Sequence, residues 1–246
     1  MDSVLADIEN VLCYIDDMVI MSNSFSDILN SLTCVLQRLQ DWVFFIKLSK
    51  TELLRENVTL LGHVISLKGI RPNPKKVQAV QRARPPANKG EMKSFLGLVS
   101  YLRRFVPNYS EIVAPLVQLT KKNQPFVFSA ECQSAFETIR DRVREHVLLE
   151  APRGDGRFVL LCDASDTGIG AVLMQLQDEE LAILEFASKS LTKAERNWPT
   201  YEQEAFAIRW AVVKFEDYVK TGRVLVYTDH KSLEWMFKAQ IGKVCQ

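Results

Sequence analysis

Residues 157–175 read RFVLLCDASDTGIGAVLMQ, and they predict two β-strands joined by a polar turn. Apolar, β-prone residues fill both ends of this stretch, whereas its centre has the composition of a turn. Similar patterns continue towards the end of the chain. The predicted elements are strands at 157–163, 170–175, 183–188 and 223–228, a helix at 200–220, and a short helix starting near Lys231. This order predicts a mixed α/β layer in which helices pack on a sheet.

Three carboxylates of this layer are candidates for a common site. Asp163 and Asp229 each lie at the end of a predicted strand, and adjacent parallel strands would bring both side chains to one sheet edge. Glu204 borders the helix face that is predicted to point inward. That face comprises Tyr201, Ala205, Ile208, Val212 and Phe215. Three converging carboxylates suit a two-ion site for phosphodiester hydrolysis, where the ions are about 3.5–4 Å apart.

Each acid also has a structural interpretation. Asp163 could form an Asx turn, and Asp229 could cap the helix that follows it. Glu204 could be an ordinary surface residue of its helix. Glu202 is a rival for its role, although regular helix geometry turns Glu202 towards solvent. From residue patterns alone, these alternatives stay open for each acid taken singly.

A second candidate for metal chemistry lies near the N-terminus. Apolar runs at 11–15 and 18–21 flank Asp16 and Asp17, which predicts a β-hairpin with two carboxylates at its tip. Adjacent carboxylates repel each other unless a cation compensates, and magnesium prefers oxygen ligands. The alternative is a simple acidic turn.

The region between these candidates is predicted to contain helices and short strands. Ser24 and Asn88 each begin a motif typical of a helix N-terminus, followed by apolar residues at intervals of three and four. Short strands are predicted at 58–61 and 64–65, and another helix at 130–146. A proline-rich junction, which no helix should cross, contains Pro72, Pro74, Pro85 and Pro86.

Composition excludes several classes of protein. The 246 residues are 47% hydrophobic and 25% charged, which is ordinary for globular domains. The apolar stretches are too short to span a bilayer, and the N-terminus lacks the pattern of a secretory signal. Five scattered cysteines predict reduced thiols and not a disulfide framework or a zinc site. We therefore expect an intracellular protein, cytoplasmic or nuclear, that is neither secreted nor embedded in a membrane.

Charge is distributed unevenly, although the net charge is only +1. Residues 68–122 hold 12 Lys/Arg and 2 Asp/Glu, residues 1–67 hold 4 and 9, and residues 123–246 hold 15 and 19. A basic centre predicts binding to a polyanion, with a solvated basic surface as the alternative. The basic side chains expected to contact phosphates are Lys75, Lys76, Arg103, Arg104, Lys121 and Lys122.

Four short motifs precede the acids in a fixed order. They are Tyr14-Ile-Asp-Asp17, Lys47-Leu-Ser-Lys50, Leu61-Gly-His63 with Lys68-Gly-Ile70, and SFLGLVSYLRRF at residues 94–105. In this order the chain resembles gypsy-type retrotransposon Pol polyproteins over essentially its whole length. The motifs resemble, respectively, the Y-x-D-D hairpin of the reverse transcriptase palm, a lysine-rich strand, a stretch that helps hold the primer terminus, and the signature joining polymerase to ribonuclease H. The three acids resemble the ribonuclease H acid set.

The resemblance implies an α+β and α/β fold in three parts. Residues 1–71 would be the C-terminal part of a palm with its hairpin, 72–150 a basic helical thumb or connection region, and 151–246 an incomplete RNase H-like domain with a mixed sheet. A third polymerase aspartate, and a fifth strand and terminal helix carrying a fourth acid, are expected outside this chain. The absence of these acids and elements is expected to weaken catalytic activity.

The implied function is that of a fragment of an RNA-directed DNA polymerase with ribonuclease H, acting by two-metal phosphodiester chemistry. The alternative is a catalytically inactive relic that binds nucleic acid without sequence preference. Catalytic and metal-binding roles are carried onto Asp16, Asp17, Asp163, Glu204 and Asp229, with Mg²⁺ or Mn²⁺ as cofactor. Nucleic acid contacts are also carried onto Leu61, Gly62 and His63. The expected partners are RNA/DNA hybrid, template-primer and the remaining Pol domains.

Overall fold

The computed structural model describes residues 2–22, 24–145, 147–154, 157–220, 224–229 and residue 233. The chain divides into two compact units, Met1–Glu56 and Asn57–Gln246. The helix predicted to start near Lys231 lies outside the described residues. The three-part division at 71/72 and 150/151 stays a prediction. Within the described ranges, no helix combines the length and apolar character needed to cross a membrane.

The first unit contains a β-hairpin and a long helix. Its elements are α1 Asp2–Leu5, β1 Val11–Tyr14, β2 Asp17–Ile20, α2 Phe25–Asp41 and a 3₁₀ helix at Leu48–Lys50. The hairpin predicted at 11–21 is present, but its turn is one residue earlier than expected. Tyr14 pairs with Asp17, so Ile15 and Asp16 form the turn, with Ile15 at φ 55°. Asp17 is therefore the first residue of β2.

Helix α2 begins where the sequence pattern predicts. The Ser24 side chain accepts a hydrogen bond from the Asp27 backbone N–H at 3.1 Å, which satisfies one of the free donors of the first turn. Val35 and Leu39 of α2 are buried with Val4 and Leu5 of α1. This small core holds the hairpin against the two helices.

The second unit opens with a three-stranded antiparallel sheet and a group of helices. Its elements, in chain order, are β3 Asn57–Leu60, β4 His63–Ser66, β5 Gly69–Pro72, α3 Pro74–Arg82, α4 Lys89–Ser100, a 3₁₀ helix Arg103–Phe105, α5 Tyr109–Ile112, α6 Ala114–Gln118 and α7 Ala130–Arg144. Strand β5 and helix α3 were not predicted. Pro74 is accepted because it is the first residue of α3, where a backbone N–H has no partner within the helix.

The helices enclose an apolar core centred on Phe136 of α7, which is fully buried. The Phe136 ring is 4.7 Å from the ring of Phe95 and 6.4 Å from that of Phe128, measured between centroids. Helix α4 begins at the predicted cap, since the Asn88 side chain accepts a hydrogen bond from the Glu91 N–H at 2.9 Å. Its core-facing side includes Met92, Phe95 and Val99.

A four-stranded sheet follows in the same unit. The elements are β6 Arg157–Ala164, β7 Gly168–Gln177, β8 Glu180–Ser190, a 3₁₀ helix Glu195–Asn197, α8 Thr200–Lys214, α9 Glu216–Val219 and β9 Val224–Tyr227. The strand order is β8-β7-β6-β9. Strands β6, β7 and β8 are antiparallel neighbours, whereas β9 runs parallel to β6. The predicted mixed layer is confirmed.

The inward face of α8 differs from the prediction at its start. Tyr201 is 49% exposed, although it was expected to point inward. The buried residues of α8 are Gln203, Glu204, Ala207, Ile208 and Ala211. Apolar residues surround this helix on nearly all sides, so periodicity alone cannot identify the face that packs on the sheet.

Replacing Phe136 by alanine should destabilise the second unit strongly. Removing a fully buried phenylalanine leaves a cavity and costs about 3–5 kcal/mol, because two further aromatic rings lose their contact. Phe45→Ala is the matched control, since Phe45 is 92% exposed and surface substitutions usually change stability by less than about 0.5 kcal/mol. Chemical denaturation followed by circular dichroism measures both. Equal stabilities would contradict this description of the core.

Candidate active site

Two of the predicted acids lie level with each other at one edge of the four-stranded sheet. Leu161 of β6 is in register with Tyr227 of β9. Asp163 and Asp229 each follow two residues later, at the C-terminal ends of these parallel strands. The carboxyl ends of parallel strands meet at one sheet edge, so both side chains reach the same place. Both are exposed.

The third acid reaches this edge from helix α8. Glu204 lies in the first turns of α8 and is 3% exposed. Its Oε1 accepts a hydrogen bond from the Ala164 backbone N–H at 3.2 Å, so the carboxylate is attached to the end of β6. Glu202, the rival, is exposed and accepts a hydrogen bond from the Tyr201 hydroxyl at 3.0 Å.

The three carboxylates converge. Each of Asp163, Glu204 and Asp229 offers an oxygen, and these atoms lie within 4.8 Å of one another. Like charges this close repel each other, whereas hard divalent cations are bound by carboxylate oxygens. The donor set therefore fits a divalent metal ion. Its two exposed members leave room for further ligands from solvent or substrate.

Cys162, which directly precedes Asp163, is not a candidate metal ligand. Burial, and secondly the Glu204 carboxylate, raises the pKa of Cys162 to about 12. The thiol therefore stays protonated at neutral pH, and a protonated thiol is a poor metal ligand. Cys162 belongs to the core between the sheet and α8, so it supports the site only by packing.

Asp163 also lines a small pocket that sequence reasoning missed. Residues of α5 and its neighbourhood close this pocket against the sheet, and its lining includes Asn108, Ser110, Glu111, Ser165 and Ser188. The Ser110 N–H donates to Ser188 Oγ at 2.8 Å. No sequence signal could have found these residues, because the contact of α5 with β8 joins segments 78 positions apart.

In the sequence, Asp16 and Asp17 are far from these three acids, and they belong to the first unit. Both are exposed at the hairpin turn. Among the described residues, they do not belong to a group of three or more side chains able to hold a metal ion. Their metal-binding and catalytic roles stay predictions.

The basic residues predicted to contact phosphates differ in their availability. Lys75, Lys76, Arg103, Lys121 and Lys122 are exposed. Arg104 is partly buried, and its guanidinium forms an ion pair with Glu185 of β8 at 2.9 Å. This ion pair engages the Arg104 guanidinium and joins the helical region to the sheet. Nucleic acid contacts at all of these positions stay predictions.

Leu61, Gly62 and His63 form and follow the turn between β3 and β4. Leu61 is 46% exposed. Leu61 and Gly62 have φ angles of 48° and 75°, which is the backbone of a tight two-residue hairpin turn. His63 is half-buried, and burial, followed by the charge of Arg104, lowers its pKa. The imidazole is therefore neutral at pH 7.

Two protein families match separate parts of the chain. Residues 1–65 match the family described as reverse transcriptase (RNA-dependent DNA polymerase). Residues 154–244 match the RNase H-like domain found in reverse transcriptase. The second match contains all three converging acids, and the first contains Asp16 and Asp17.

Two retrovirus-related Pol polyproteins are similar to this chain over most of its length. The chain is 34% identical over 239 residues to the retrovirus-related Pol polyprotein from transposon 297 of Drosophila melanogaster, covering 96% of this chain and 22% of that protein. It is 33% identical over 248 residues to that from transposon gypsy of the same organism, covering 95% and 24%. The chain thus spans about a quarter of these relatives.

Solved structures share the fold. A foamy viral protease-reverse transcriptase in complex with dsDNA superposes with a TM-score of 0.82 at 25% identity, covering 96% of this chain and 50% of that one. The foamy viral enzyme in complex with RNA/DNA hybrid gives 0.81 at 24% identity, covering 94% and 32%. These matches confirm the predicted combination of α+β and α/β architecture.

Asp163→Asn should stabilise the metal-free protein, because it removes one of three mutually repelling charges. Interactions between solvent-exposed charges are worth up to about 1 kcal/mol, or roughly 2–4 °C in melting temperature. Magnesium should raise the melting temperature of the wild-type chain by preferential binding, and raise that of Asp163→Asn less. Thermal unfolding in EDTA and in magnesium tests this. Glu202→Gln, outside the site, should behave as wild type. Identical magnesium shifts in all three proteins would argue against a metal site.

Proposed function

We propose that this chain, whose parts match the reverse transcriptase family and its RNase H-like domain, is a segment of a retrotransposon Pol polyprotein and hydrolyses the RNA strand of RNA/DNA hybrids. The observation that carries the proposal is the convergence of Asp163, Glu204 and Asp229 within 4.8 Å. Three separate elements supply these acids to one sheet edge.

The three acids would contribute differently to binding the metal ion. Glu204 is fixed by the Ala164 N–H, so its position changes little when ligands arrive. Asp163 and Asp229 are exposed and meet the solvent side, where a phosphodiester can approach. We propose Mg²⁺ as the ion, since it keeps open positions for water and phosphate oxygens. When bound, a pair of such ions supplies the charge that activates the attacking water and steadies the leaving oxygen.

The proposed substrate follows from charge and from similar proteins. Exposed lysines of the basic region, such as Lys121 and Lys122, suit contacts to phosphates that carry no sequence information. The foamy viral enzyme that shares this fold was solved with duplex nucleic acid. We therefore propose RNA/DNA hybrid and template-primer as the partners of this chain.

A second proposed activity belongs to the longer Pol product. Asp16 and Asp17 lie at an exposed hairpin turn inside the segment that matches the reverse transcriptase family. We propose that this hairpin contributes two acids to a polymerase site, completed by Pol segments outside residues 1–246. Primer extension would then depend on segments besides this chain, which covers about a quarter of the relatives that it matches.

The alternative candidate is a binding protein without catalysis. The exposed basic side chains favour it, because they can hold a duplex whether or not the acids are active. The two functions differ in magnesium dependence, since binding through lysines needs no divalent ion, whereas hydrolysis requires one.

The purified chain should cleave the RNA strand of a labelled hybrid only with magnesium, because the proposed hydrolysis depends on bound ions to activate water. Asp163→Asn, Glu204→Gln and Asp229→Asn should each reduce cleavage more than about tenfold, because each removes a charged ligand, while Glu202→Gln should retain it. Gel analysis of the products measures this. Cleavage that persists in Asp163→Asn, or in EDTA, would refute the hydrolytic proposal.

Hybrid binding should weaken steeply as salt rises. Each phosphate contact contributes about 0.9 to the slope of log affinity against log salt, so the double variant Lys121→Gln/Lys122→Gln should lower that slope by roughly 2. The control is Lys220→Gln, since Lys220 is exposed and already paired with Glu216. Fluorescence anisotropy in EDTA at several salt concentrations gives the slopes. Equal slopes for wild type and the double variant would contradict these two contacts.

A further inference from the structure

The turn between β3 and β4 places a leucine in a backbone conformation that favours glycine. Leu60 pairs with His63, so Leu61 and Gly62 alone make the turn, with φ angles of 48° and 75°. Positive φ suits glycine but is uncommon for a residue such as leucine. The turn therefore depends on contacts from outside the hairpin to keep its shape.

Tyr101 supplies these contacts. It directly follows helix α4, and its ring stacks on the imidazole of His63, with centroids 4.8 Å apart and planes 15° apart. A Cβ built on Gly62 would collide with the Tyr101 hydroxyl oxygen and would lie 2.9 Å from Tyr101 Cζ. The phenol tip thus rests on the bare Cα of Gly62, and only glycine leaves space for it.

Other residues fix the ring of Tyr101 in turn. The Lys76 ammonium lies 5.1 Å from the centroid of the Tyr101 ring, a distance suited to a cation–π interaction. Phe105 approaches His63 from a second side, at 5.5 Å between ring centroids. Burial lowers the pKa of His63, as does Arg104, so a neutral imidazole occupies the stack. The β3–β4 turn is thereby attached to the helical region by aromatic rings.

We infer that Tyr101 is a positioning residue for nucleic acid binding: it holds the Leu61–Gly62 turn, whose Leu61 side chain is exposed, in the conformation that the proposed contact with a bound hybrid requires. The inference rests on the proposed function for its ligand. The positioning itself does not, because it can be measured without nucleic acid. The stack thus joins two motifs that are separated by about forty residues in the sequence.

Hydrogen exchange tests the positioning in the full chain without ligand. Amides of β3 and β4 should exchange more than about tenfold faster in Tyr101→Leu, which corresponds to about 1.4 kcal/mol of local opening. Phe128→Leu is the matched control, because Phe128 is another partly buried ring on the same helical core. It should leave β3–β4 exchange unchanged. Tyr101→Phe should also behave as wild type, since the stack survives and the hydroxyl has no hydrogen-bond partner among the described residues.

Gly62→Ala provides a second test. Alanine is strained at this φ in any background, but only the wild-type background adds the collision with Tyr101. The acceleration of exchange caused by Gly62→Ala should therefore be smaller in Tyr101→Leu than in the wild-type chain. Equal accelerations in both backgrounds, or protection of β3–β4 in Tyr101→Leu equal to that in wild type, would overturn the inference.

Binding of a hybrid with a recessed primer end tests the functional consequence. Tyr101→Leu should weaken binding about tenfold, whereas Tyr101→Phe and Phe128→Leu should bind as wild type. A wild-type chain that fails to bind hybrid refutes the proposed function, and hydrogen exchange still decides the positioning. A wild-type chain that binds, alongside Tyr101→Leu of equal affinity, refutes the role of the turn in binding.

Discussion

The parallel pairing of β9 with β6 is the constraint on which the candidate site depends. In a parallel pair both strands end at the same edge, so residues that follow equivalent register positions lie level. Asp163 and Asp229 meet for this reason, although 66 positions separate them in the sequence. An antiparallel β9 would have carried Asp229 to the opposite edge. Glu204 joins them because helix α8 packs across β6 and hydrogen-bonds to the backbone of Ala164.

A second constraint joins the helical region to the sheet. Arg104 pairs with Glu185, whose side chain is only 14% exposed, and Lys214 of α8 lies 3.8 Å from the same carboxylate. A largely buried carboxylate needs compensating charge, so this arrangement resists separation of the two parts. Ser110 and Ser188 add a further link beside Asp163. The helical region therefore forms one wall of the pocket next to the candidate site.

Patterns of neighbouring residues predicted most of the helices and strands. The caps at Ser24 and Asn88, the hairpin near Asp16 and the strands of the mixed sheet all follow from neighbouring residues. The failures have a common cause. Strand β5 and helix α3 lie in a proline-rich segment that looks like a junction, but Pro72 ends a strand and Pro74 begins a helix. The exposure of Tyr201 could not be predicted, because α8 is apolar around most of its circumference and its partner decides the face.

By itself, the sequence determined the order of the strands and helices of the mixed sheet, the uneven charge and the identity of the acids available for metal chemistry. These follow from residue type and spacing, which act over a few positions. The tertiary structure alone brought the acids within reach of one another. It buried Glu204 and left Glu202 exposed, placed Asn108 and Ser110 beside Asp163, and stacked Tyr101 on His63. Such contacts join distant segments, and their geometry is set by strand register and core packing, which no local pattern encodes.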